Sequence, residues 1–531
     1  MWCRTLLVCL LISVPVVWPC ESHGEWGQTI QNEFFGSEAC LFTTAVTEAQ
    51  LFSTSNFTVT AVWANGTGIV GARFQSRLLG DTILTVNVLE STTVPGVYGF
   101  SFTPRDPGQH LLQIRLSWFA HRHENEEHGP SHPYTHHDLD YVDRIVYNQS
   151  IVLLAHPAIP SETFQLRKPD PCRAGTEDGR WVKMDPATGV CPPWACHYDV
   201  HDDPRKVADN VNWLSDKFGF NRGYVWSPWN CSYRIMSADD VKLCIDRKRL
   251  SFVGMVGDSL LRESLQNLFS LVVPEYTHSR LKGVETTFHL PLNVSNESST
   301  LAVSYSYNHP MPGCKHVDMT QRERGVVLWN WPMIKTINSG WFMNGMKAKL
   351  LGRIKSQFND IMCGGAPLPS VYVLHPRVQR LDLRFRQGSN PFHKVSPMRE
   401  DAIMMNISNQ VRALGEGVEI LDATIISESR WEASWDGIHY GLSVHKSDFQ
   451  IFEPGKTDLN STCSRGGSNS RFVGGNDVCD LQQYINYNFC INGRMHWCNN
   501  VVHRSNPFDS FEGGVSRMTT MIWLNMLCNN Y

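Results

Sequence analysis

Ser259 stands between an apolar run and a leucine-spaced segment in the stretch VGMVGDSLLRESLQNL, residues 253–268. Leu261, Leu265 and Leu268 recur at helical spacing, so the serine is predicted to lie where a strand ends and a helix begins. The positive end of the helix dipole would stabilise a developing oxyanion beside it, as acyl transfer requires. The same position suits an ordinary serine that caps a helix. Ser259 is therefore both a candidate nucleophile and a candidate N-cap.

A base and its orienting group occur much later, in the stretch ESRWEASWDGIHYG. Asp436 and His439 are three residues apart there and follow the last predicted strand, VEILDATII. If this loop reaches the strand edge that carries Ser259, His439 takes the serine proton while Asp436 holds the imidazole tautomer. An ordinary loop histidine beside a carboxylate is the alternative for His439 taken alone. Together the three residues predict a Ser-His-Asp triad and an acyl-enzyme.

An α/β domain is needed to bring these residues together. RLSFVGMVGD is a continuous apolar run of strand length, typical of a strand covered on both faces. Four further runs share this character: LAVSYSYN, GVVLWNWPM, SVYVLHPRV and VEILDATII. Helix-like segments at 260–272, 343–358 and 398–414 separate several of them, so we predict a parallel sheet flanked by helices over residues 247–531. Ligand sites of such folds lie beyond the carboxyl ends of the strands, where Ser259 is expected.

Residues 40–158 have the alternation of a separate β domain. GVYGFSFTPRDPGQHLLQIRLSWF predicts a hairpin between residues 98–102 and 112–118, with Gln113 and Arg115 facing out. Further strands are predicted in NFTVTAVWANG, DTILTVNVLEST and RIVYNQSIVLLAH. This pattern suits an immunoglobulin-like or filamin-like β-sandwich, a kind of domain that usually binds or positions rather than catalyses.

Two less regular segments adjoin the β domain. The stretch HRHENEEHGPSHPYTHHDLD, between two predicted strands, is rich in histidine, a common metal ligand. A polar stretch with glycine and proline is more typical of a long solvated loop, so we predict a loop and no metal site. Over residues 169–246 the composition changes to Trp, Pro and Cys. This composition predicts a disulfide-held segment that packs on the catalytic domain.

The first 22 residues have the layout of a secretory signal peptide, with one cation, an apolar core and a polar end. An uncleaved signal anchor is the alternative, although the uncharged stretch is shorter than the roughly 20 residues of a spanning helix. No later segment is predicted to span a membrane. With the signal removed, 13 of the 16 cysteines remain and are predicted to form disulfides, the odd one being free or intermolecular. Metal ligation is the alternative, against which the lack of a C-x-x-C pair argues. Eight Asn-x-Ser/Thr motifs are candidate glycosylation sites: Asn56, Asn65, Asn148, Asn230, Asn293, Asn296, Asn406 and Asn460.

The residues around Ser259 resemble one superfamily of serine hydrolases. GDSLL at residues 257–261 is not the G-x-S-x-G elbow of α/β-hydrolases. The pairing of Gly-Asp-Ser early with Asp-x-x-His late resembles the SGNH/GDSL superfamily, and more narrowly its PC-esterase branch. That branch includes trichome-birefringence-like polysaccharide O-acetyltransferases, sialate O-acetyltransferases, and the neurexophilin and PC-esterase domain family. The resemblance covers the chain from residue 170 onward, including the stretch GYVWSPWNCSY, Arg262 after the serine, and the ending GGVSRMTTMIWLNMLCNN, which is similar to a terminal helix.

This resemblance implies a fold and further site residues. The fold is an SGNH-like three-layer α/β/α domain preceded by the immunoglobulin-like β-sandwich. The oxyanion hole would comprise the Ser259 N–H, Asn330 in VVLWNWP and Gly313 in HPMPGC, with an ordinary turn asparagine as the alternative for Asn330. Arg262 would bind a carboxylate or an acyl donor, or form a structural salt bridge. The chain lacks the Gly-His-Trp-Trp block of the plant branch. Its cysteine-rich insertion at about 441–513 would be either a flap over the site or an addition without a catalytic role.

The activity that the resemblance implies is that of a secretory-pathway serine acyltransferase or esterase acting on O-acetyl groups of glycans, sialic acid among them. No tightly bound cofactor is expected, and acetyl-coenzyme A or another acetyl donor would be the co-substrate of a transferase. The expected partner is a glycan or glycoprotein, and the expected location is outside the cell or in the Golgi or endoplasmic reticulum lumen. A net charge of −4 without long charged blocks argues against a nucleic-acid partner. The alternative is a non-catalytic secreted binding or adhesion glycoprotein of neurexophilin-like type, against which the intact Ser259, Asp436 and His439 argue.

Overall fold

The structure of this 531-residue protein is a computed structural model. It describes residues 27–31, 38–43, 46–63, 65–120, 139–154, 170–175, 177–183, 224–257, 259–272, 285–291, 300–307, 325–329, 370–375, 418–433, 470–474, 488–491, 494–498 and 514–528. Over these residues the protein is mixed α/β, with several β-sheets and four α-helices. The coarse fold class predicted from the sequence is thereby confirmed.

The described residues before position 155 form ten strands, and we call them together the β part. They are Gly27–Gln31 (β1), Glu38–Thr43 (β2), Glu48–Gln50 (β3), Ser55–Trp63 (β4), Arg73–Leu79 (β5), Thr82–Thr85 (β6), Asn87–Glu90 (β7), Val97–Phe102 (β8), Gly108–Ala120 (β9) and Leu139–Leu154 (β10). Five of them form a first, antiparallel sheet in the order β1-β2-β4-β8-β7. The other five belong to a second sheet, which two later strands extend, Gly179–Lys183 (β11) and Tyr224–Pro228 (β12). The order of the second sheet is β12-β11-β6-β5-β9-β10-β3.

The two sheets of the β part share one apolar core. Strands β4 and β8 of the first sheet and β5 and β9 of the second bury alternate residues in the same cluster. Phe74 of β5 contacts two rings of β8, with centroids 4.8 Å from Tyr98 and 5.8 Å from Phe100. The predicted strands and their period-2 alternation are therefore confirmed, because each strand turns its apolar side towards the opposite sheet.

The predicted hairpin between residues 98–102 and 112–118 is wrong. β8 pairs with β4 and β7, whereas β9 pairs with β5 and β10, so the connection from β8 to β9 crosses between the sheets. Two alternating runs can face each other across a core as well as side by side, and periodicity does not distinguish these arrangements. The prediction that Gln113 and Arg115 face out is also wrong. Both are buried, because a later part of the chain covers this face of the second sheet.

A third sheet forms from strands later in the chain. They are Phe252–Gly257 (β13), Glu285–Pro291 (β14), Thr300–Tyr307 (β15), Gly325–Trp329 (β16), Ser370–His375 (β17) and Val418–Asp422 (β18). Their order is β14-β15-β13-β16-β17-β18, and all neighbours are parallel except β14 and β15. β13 and β16 are buried at every residue, as expected of strands covered on both faces. The predicted parallel strands are confirmed, and the antiparallel edge strand β14 was not predicted.

The described helices lie mostly around the third sheet. They are Ala238–Arg247 (α1), Ser259–Val272 (α2), Ala423–Ser427 (α3) and Gly514–Cys528 (α4), and a 3-10 helix, Glu428–Ala433, directly follows α3. α1 begins with a capping box, because the side chains of Ser237 and Asp240 each accept the backbone N–H of the other. The predicted strand VEILDATII ends earlier than expected: Asp422 accepts the Thr424 N–H over 2.9 Å and caps α3. α4 matches the predicted terminal helix.

Disulfides join distant parts of the chain. Cys172 is bonded to Cys231, and Cys244 of α1 is bonded to Cys528 of α4. The prediction of disulfides is confirmed for these two pairs. Within the predicted insertion, Ser470–Gly474 (β19), Asn488–Ile491 (β20) and Arg494–Cys498 (β21) form a small antiparallel sheet in the order β19-β21-β20. In the part of the chain that the structure describes, no helix has the length and apolar character needed to cross a membrane.

Candidate active site

The strand order of the third sheet creates a topological switch point. β13 comes first in the chain yet lies inside the sheet, with β15 on one side and β16 on the other. The chain therefore leaves β13 towards one side and later returns to the other. In doubly wound sheets such a reversal creates a crevice beyond the carboxyl ends of the two strands, here β13 and β16. We call this the switch-point crevice. The register aligns Val256 with Trp329, so the segments that follow both strands begin at the same edge.

Ser259 lies at the switch-point crevice. β13 ends at Gly257, and Ser259 is the first residue of α2. The first N–H groups of a helix have no acceptor within the helix, and the helix dipole adds positive potential there. The prediction that Ser259 stands at a strand-to-helix junction is confirmed, while its action as a nucleophile stays a prediction.

α2 buries several polar side chains as well as apolar ones. Its apolar residues join the core of the third sheet: Leu261, Leu265, Leu268 and Phe269. Glu263 and Asn267 are buried too, and α4 supplies partners for them. The Ser516 hydroxyl donates to Glu263 Oε2 over 3.0 Å. The Asn267 amide donates to the hydroxyls of Ser516 at 2.9 Å and Thr520 at 3.4 Å. These contacts fix the rotation of α2 and hence the direction of its N-terminus.

α4 is itself firmly held, so it gives α2 a rigid support. Its side chains from Val515 to Cys528 are all buried. The Asn525 amide donates to the Arg234 carbonyl over 2.8 Å, and the Arg234 N–H donates back to Asn525 Oδ1 over 2.7 Å. Together with the Cys244–Cys528 disulfide, these bonds attach α4 to α1 and to the chain before it.

The other predicted site residues are less completely described. Arg262 lies in the first turn of α2 with a partly buried side chain, and its contact with a carboxylate or acyl donor stays a prediction. Four lie outside the described residues: Asp436, His439, Asn330 and Gly313. The chain is described as far as Trp329, directly before Asn330, and as far as Ala433, three residues before Asp436.

The segment that leads towards Asp436 is anchored on the second sheet. Trp431 is 2% exposed, and its ring centroid lies 4.1 Å from the guanidinium of Arg77 on β5. Arg430 places its guanidinium 4.9 Å from the ring centroid of Trp181 on β11. These contacts do not follow from any local sequence pattern, because they join positions more than two hundred residues apart. The signal in the sequence was the presence of arginines in the middle of apolar strands.

Two charged residues with shifted pKa values, Lys248 and Glu419, lie at the amino ends of the strands of the third sheet. Burial lowers the pKa of Lys248, and the charge of Glu419 opposes that shift. Burial raises the pKa of Glu419, and Lys248 opposes that shift in turn. Lys248 precedes β13 and Glu419 is the second residue of β18, so the pair lies at the amino ends of the strands. This pair is therefore distant from the switch-point crevice and not a candidate for its chemistry.

Four of the eight predicted glycosylation sites are described, and all four are exposed: Asn56, Asn65, Asn148 and Asn230. At Asn65 the side-chain oxygen accepts the Thr67 N–H over 2.9 Å, an Asx turn that presents the residue on the surface. The other four lie outside the described residues: Asn293, Asn296, Asn406 and Asn460.

No protein family model matches this chain, and no curated protein matches it. The resemblance to the PC-esterase branch stays a prediction, based on the motifs around Ser259 and on Asp436 and His439.

Proposed function

We propose that this protein is a secretory-pathway serine enzyme that transfers or hydrolyses O-acetyl groups of glycans. The observation that carries the proposal is the position of Ser259, at the N-terminus of the helix that follows the central strand of a parallel sheet. Helix N–H groups there can bind an oxyanion, and the switch-point crevice offers room for a substrate. Asp436 and His439 complete the catalytic set in this proposal.

The strand order supports an SGNH-like three-layer architecture. Apart from the antiparallel edge strand β14, the strands lie in the order β15-β13-β16-β17-β18. Numbered by their order along the chain, this is 2-1-3-4-5, which is a common strand order of doubly wound sheets. Right-handed crossovers would then place α2 on one face and the helices expected at residues 343–358 and 398–414 on the other. The two packed sheets of the β part support an immunoglobulin-like sandwich in the same way.

The proposed reaction passes through an acyl-enzyme. Ser259 Oγ attacks the carbonyl carbon of an acetyl ester or thioester while His439, held by Asp436, accepts the hydroxyl proton. The resulting oxyanion accepts hydrogen bonds from the Ser259 N–H, Asn330 and Gly313. Its collapse breaks the bond to the leaving alcohol or thiol, which receives the proton from His439. A sugar hydroxyl or water then attacks the acetyl group on Ser259 and gives its proton to His439. The bond from the acetyl carbon to Ser259 Oγ breaks, and Oγ takes that proton from His439, which regenerates the serine.

Two features of the described chain support a secretory location. Disulfides such as Cys172–Cys231 and Cys244–Cys528 persist in oxidising compartments and are rare in the cytosol. The exposure of the four described Asn-x-Ser/Thr asparagines is what glycan attachment needs. A glycan-modifying enzyme would meet its acceptors in the same compartment.

A fluorophosphonate probe, which reacts with activated serines, tests the proposed nucleophile. We expect the full-length secreted protein to be labelled and Ser259→Ala to be unlabelled. His439→Ala should react on the order of 10²–10⁴-fold more slowly, because it lacks the general base. Ser264→Ala is the matched control: Ser264 is buried in the same helix and donates to the Leu260 carbonyl, so its loss should leave labelling unchanged. Absence of labelling in the wild type, or equal labelling of Ser259→Ala, would refute the enzyme and favour the binding glycoprotein.

The product distinguishes transfer from hydrolysis. We expect incubation with acetyl-coenzyme A and a sialylated acceptor to give an O-acetylated glycan, detected by mass spectrometry, with Ser259→Ala as the blank. Release of acetate from an O-acetylated glycan, with no acetylated product, would identify an esterase instead. If the wild type gives neither product, activity on sialylated glycans is refuted.

A further inference from the structure

The β part contacts the chain just before the predicted base. Arg77 Nη1 donates a hydrogen bond to the Ser429 carbonyl oxygen over 2.8 Å. The same guanidinium lies 4.1 Å from the centroid of the Trp431 ring, a cation–π distance. Arg77 is 5% exposed and Trp431 is 2% exposed, so water does not compete for these contacts. One side chain of β5 thus holds both the backbone and the ring of the later segment.

Arg77 is held in this orientation by a row of side chains across the second sheet. Its Nε donates to Gln113 Oε1 over 2.9 Å, and Gln113 Nε2 donates to Asn148 Oδ1 over 3.2 Å. The three residues are register partners on β5, β9 and β10. A guanidinium is planar and donates in fixed directions. The bond from Arg77 Nε to Gln113 therefore directs Arg77 Nη1 towards the Ser429 carbonyl.

A second set of contacts fixes the same segment from β11 and β12. The Trp181 Nε1 donates to the Ile426 carbonyl over 2.8 Å. The Arg430 guanidinium lies 4.9 Å from the Trp181 ring centroid and 5.5 Å from that of Tyr224. Residues 426–431, which we call the anchor segment, are thus bound along their length to the extended second sheet.

The anchor segment lies directly before the predicted base and its orienter. Trp431 precedes Asp436 by five positions and His439 by eight. Since an extended chain advances at most about 3.6 Å per residue, these residues lie within roughly 18 Å and 29 Å of Trp431. At its other end the anchor segment follows β18, which ends at the same sheet edge as β13. The starting point of the chain that leads to Asp436 and His439 is therefore set by the third sheet and by the β part together.

We propose that Arg77 is a positioning residue that holds the segment bearing Asp436 and His439 in register with Ser259, an inference that rests on the proposed function. Ser259 is placed by α2 and α4, whereas the base is placed by the anchor segment. The β part is thereby a component of the active-site scaffold rather than an independent binding module. Loss of the Arg77 contacts displaces the base and leaves the nucleophile and its helix in place.

Arg77→Met tests this inference, because methionine keeps the apolar stem and removes the guanidinium. We expect the rate of fluorophosphonate labelling to fall on the order of 10²-fold, the effect of a displacement of about 1 Å in a reacting group. Tyr98→Phe is the matched control. It removes a hydroxyl that bonds to Ala72 and Ile69 inside the β part, so it weakens the β part without touching the anchor segment. Labelling at the wild-type rate is expected for Tyr98→Phe.

Added imidazole distinguishes a displaced base from a damaged protein. A soluble imidazole can replace a base that is out of place, so it should accelerate labelling of Arg77→Met and of His439→Ala. It should not restore Ser259→Ala, which lacks the nucleophile. A reduced rate in Arg77→Met that imidazole does not raise would mean that Ser259 itself is disturbed, and the inference would be overturned.

Substitutions of Trp431, the aromatic partner of Arg77, give an independent test. Trp431→Phe keeps an aromatic face for Arg77, whereas Trp431→Leu removes it, so only the second should be slow and rescued by imidazole. The double variant Arg77→Met/Trp431→Leu should be slower than the wild type by less than the product of the two single effects, because both residues hold the same anchor segment. If Arg77→Met is not secreted, Arg77→Lys replaces it, since lysine keeps the charge but not the forked bonds to Gln113 and Ser429.

The outcomes separate this inference from the proposed function. If the wild type is labelled and Arg77→Met, or its substitute Arg77→Lys, is labelled at the same rate, the role of Arg77 is overturned. The proposal of a serine enzyme then still holds. An unlabelled wild type would refute the serine enzyme, and the role of Arg77 with it.

Discussion

His110, on β9, is a titratable side chain buried in the second sheet at 3% exposure. Its Nε2 lies 3.1 Å from the Thr82 hydroxyl of β6. Burial is the largest influence on the pKa of His110 and lowers it from the ordinary 6.5, although the charges of Asp106 and Asp81 and a backbone hydrogen bond at Gly108 oppose the shift. The imidazole is therefore neutral in the folded protein at neutral pH.

Acid should weaken the fold through His110. The unfolded chain binds a proton there at the ordinary pKa and the folded protein does not, so the free energy of unfolding falls as pH drops below about 6.5. His110→Gln can keep a hydrogen bond to Thr82 and removes the titration. Urea unfolding between pH 7 and pH 5 should therefore depend less on pH in His110→Gln, by up to about 1.4 kcal/mol per pH unit. Equal pH slopes in the two proteins would contradict a buried neutral His110.

Single residues of the site were only partly predictable. The junction at Ser259 follows from local signals, an apolar run followed by leucines at helical spacing. Gln113 and Arg115 were assigned to the outer face because they alternate with apolar neighbours, but Trp431, more than three hundred positions later, covers that face. Buried arginines of this kind depend on partners that no local pattern contains.

At the scale of elements, α4 is the support on which α2 is oriented, and the Cys244–Cys528 disulfide fastens α4 to α1. The bond closes a loop of 284 residues. Replacing both cysteines with alanine should lower the free energy of unfolding by about 2–5 kcal/mol, because the unfolded chain regains the entropy of an open loop. Urea unfolding of the purified protein measures this loss.

A control for this disulfide lies beside it on α1. Leu243 is 38% exposed, and Leu243→Ala should change the free energy of unfolding by no more than about 0.5 kcal/mol, as is usual for exposed positions. Equal stability of the double cysteine variant and the wild type would show that α4 stays in place without the covalent bond.

Element types were predicted better than their ends and partners. β13, β15, β16 and β17 match apolar runs in the sequence, because strands buried on both faces need them. The end of β18 was missed because Asp422, a polar residue within the run, caps a helix. The pairing of β8 with β9 was wrongly predicted, since a short connection can join two strands of one sheet or cross between two sheets.

At the scale of the whole molecule, the β part and the later chain are continuous through the second sheet. β11 pairs with β6 where Trp181 faces Ile83, and Arg180 of β11 forms a buried ion pair with Asp106 at 2.9 Å. The sequence predicted an α/β region and a β region but not this shared sheet. Composition and periodicity predict where segments of one type begin and end. They do not predict that β6 and β11, more than ninety residues apart, pair in one sheet.

The burial of α4 has a consequence for synthesis on the ribosome. α4 contacts α1, α2, α3, β12 and β18, so it fills a space in a core whose other members are made much earlier. At about 5–20 residues per second, translation from the end of α2 to the end of α4 takes about 10 to 50 seconds. During that interval the nascent chain exposes the apolar surfaces that α4 will cover. Chaperone binding to the nascent chain is therefore expected during the synthesis of this protein.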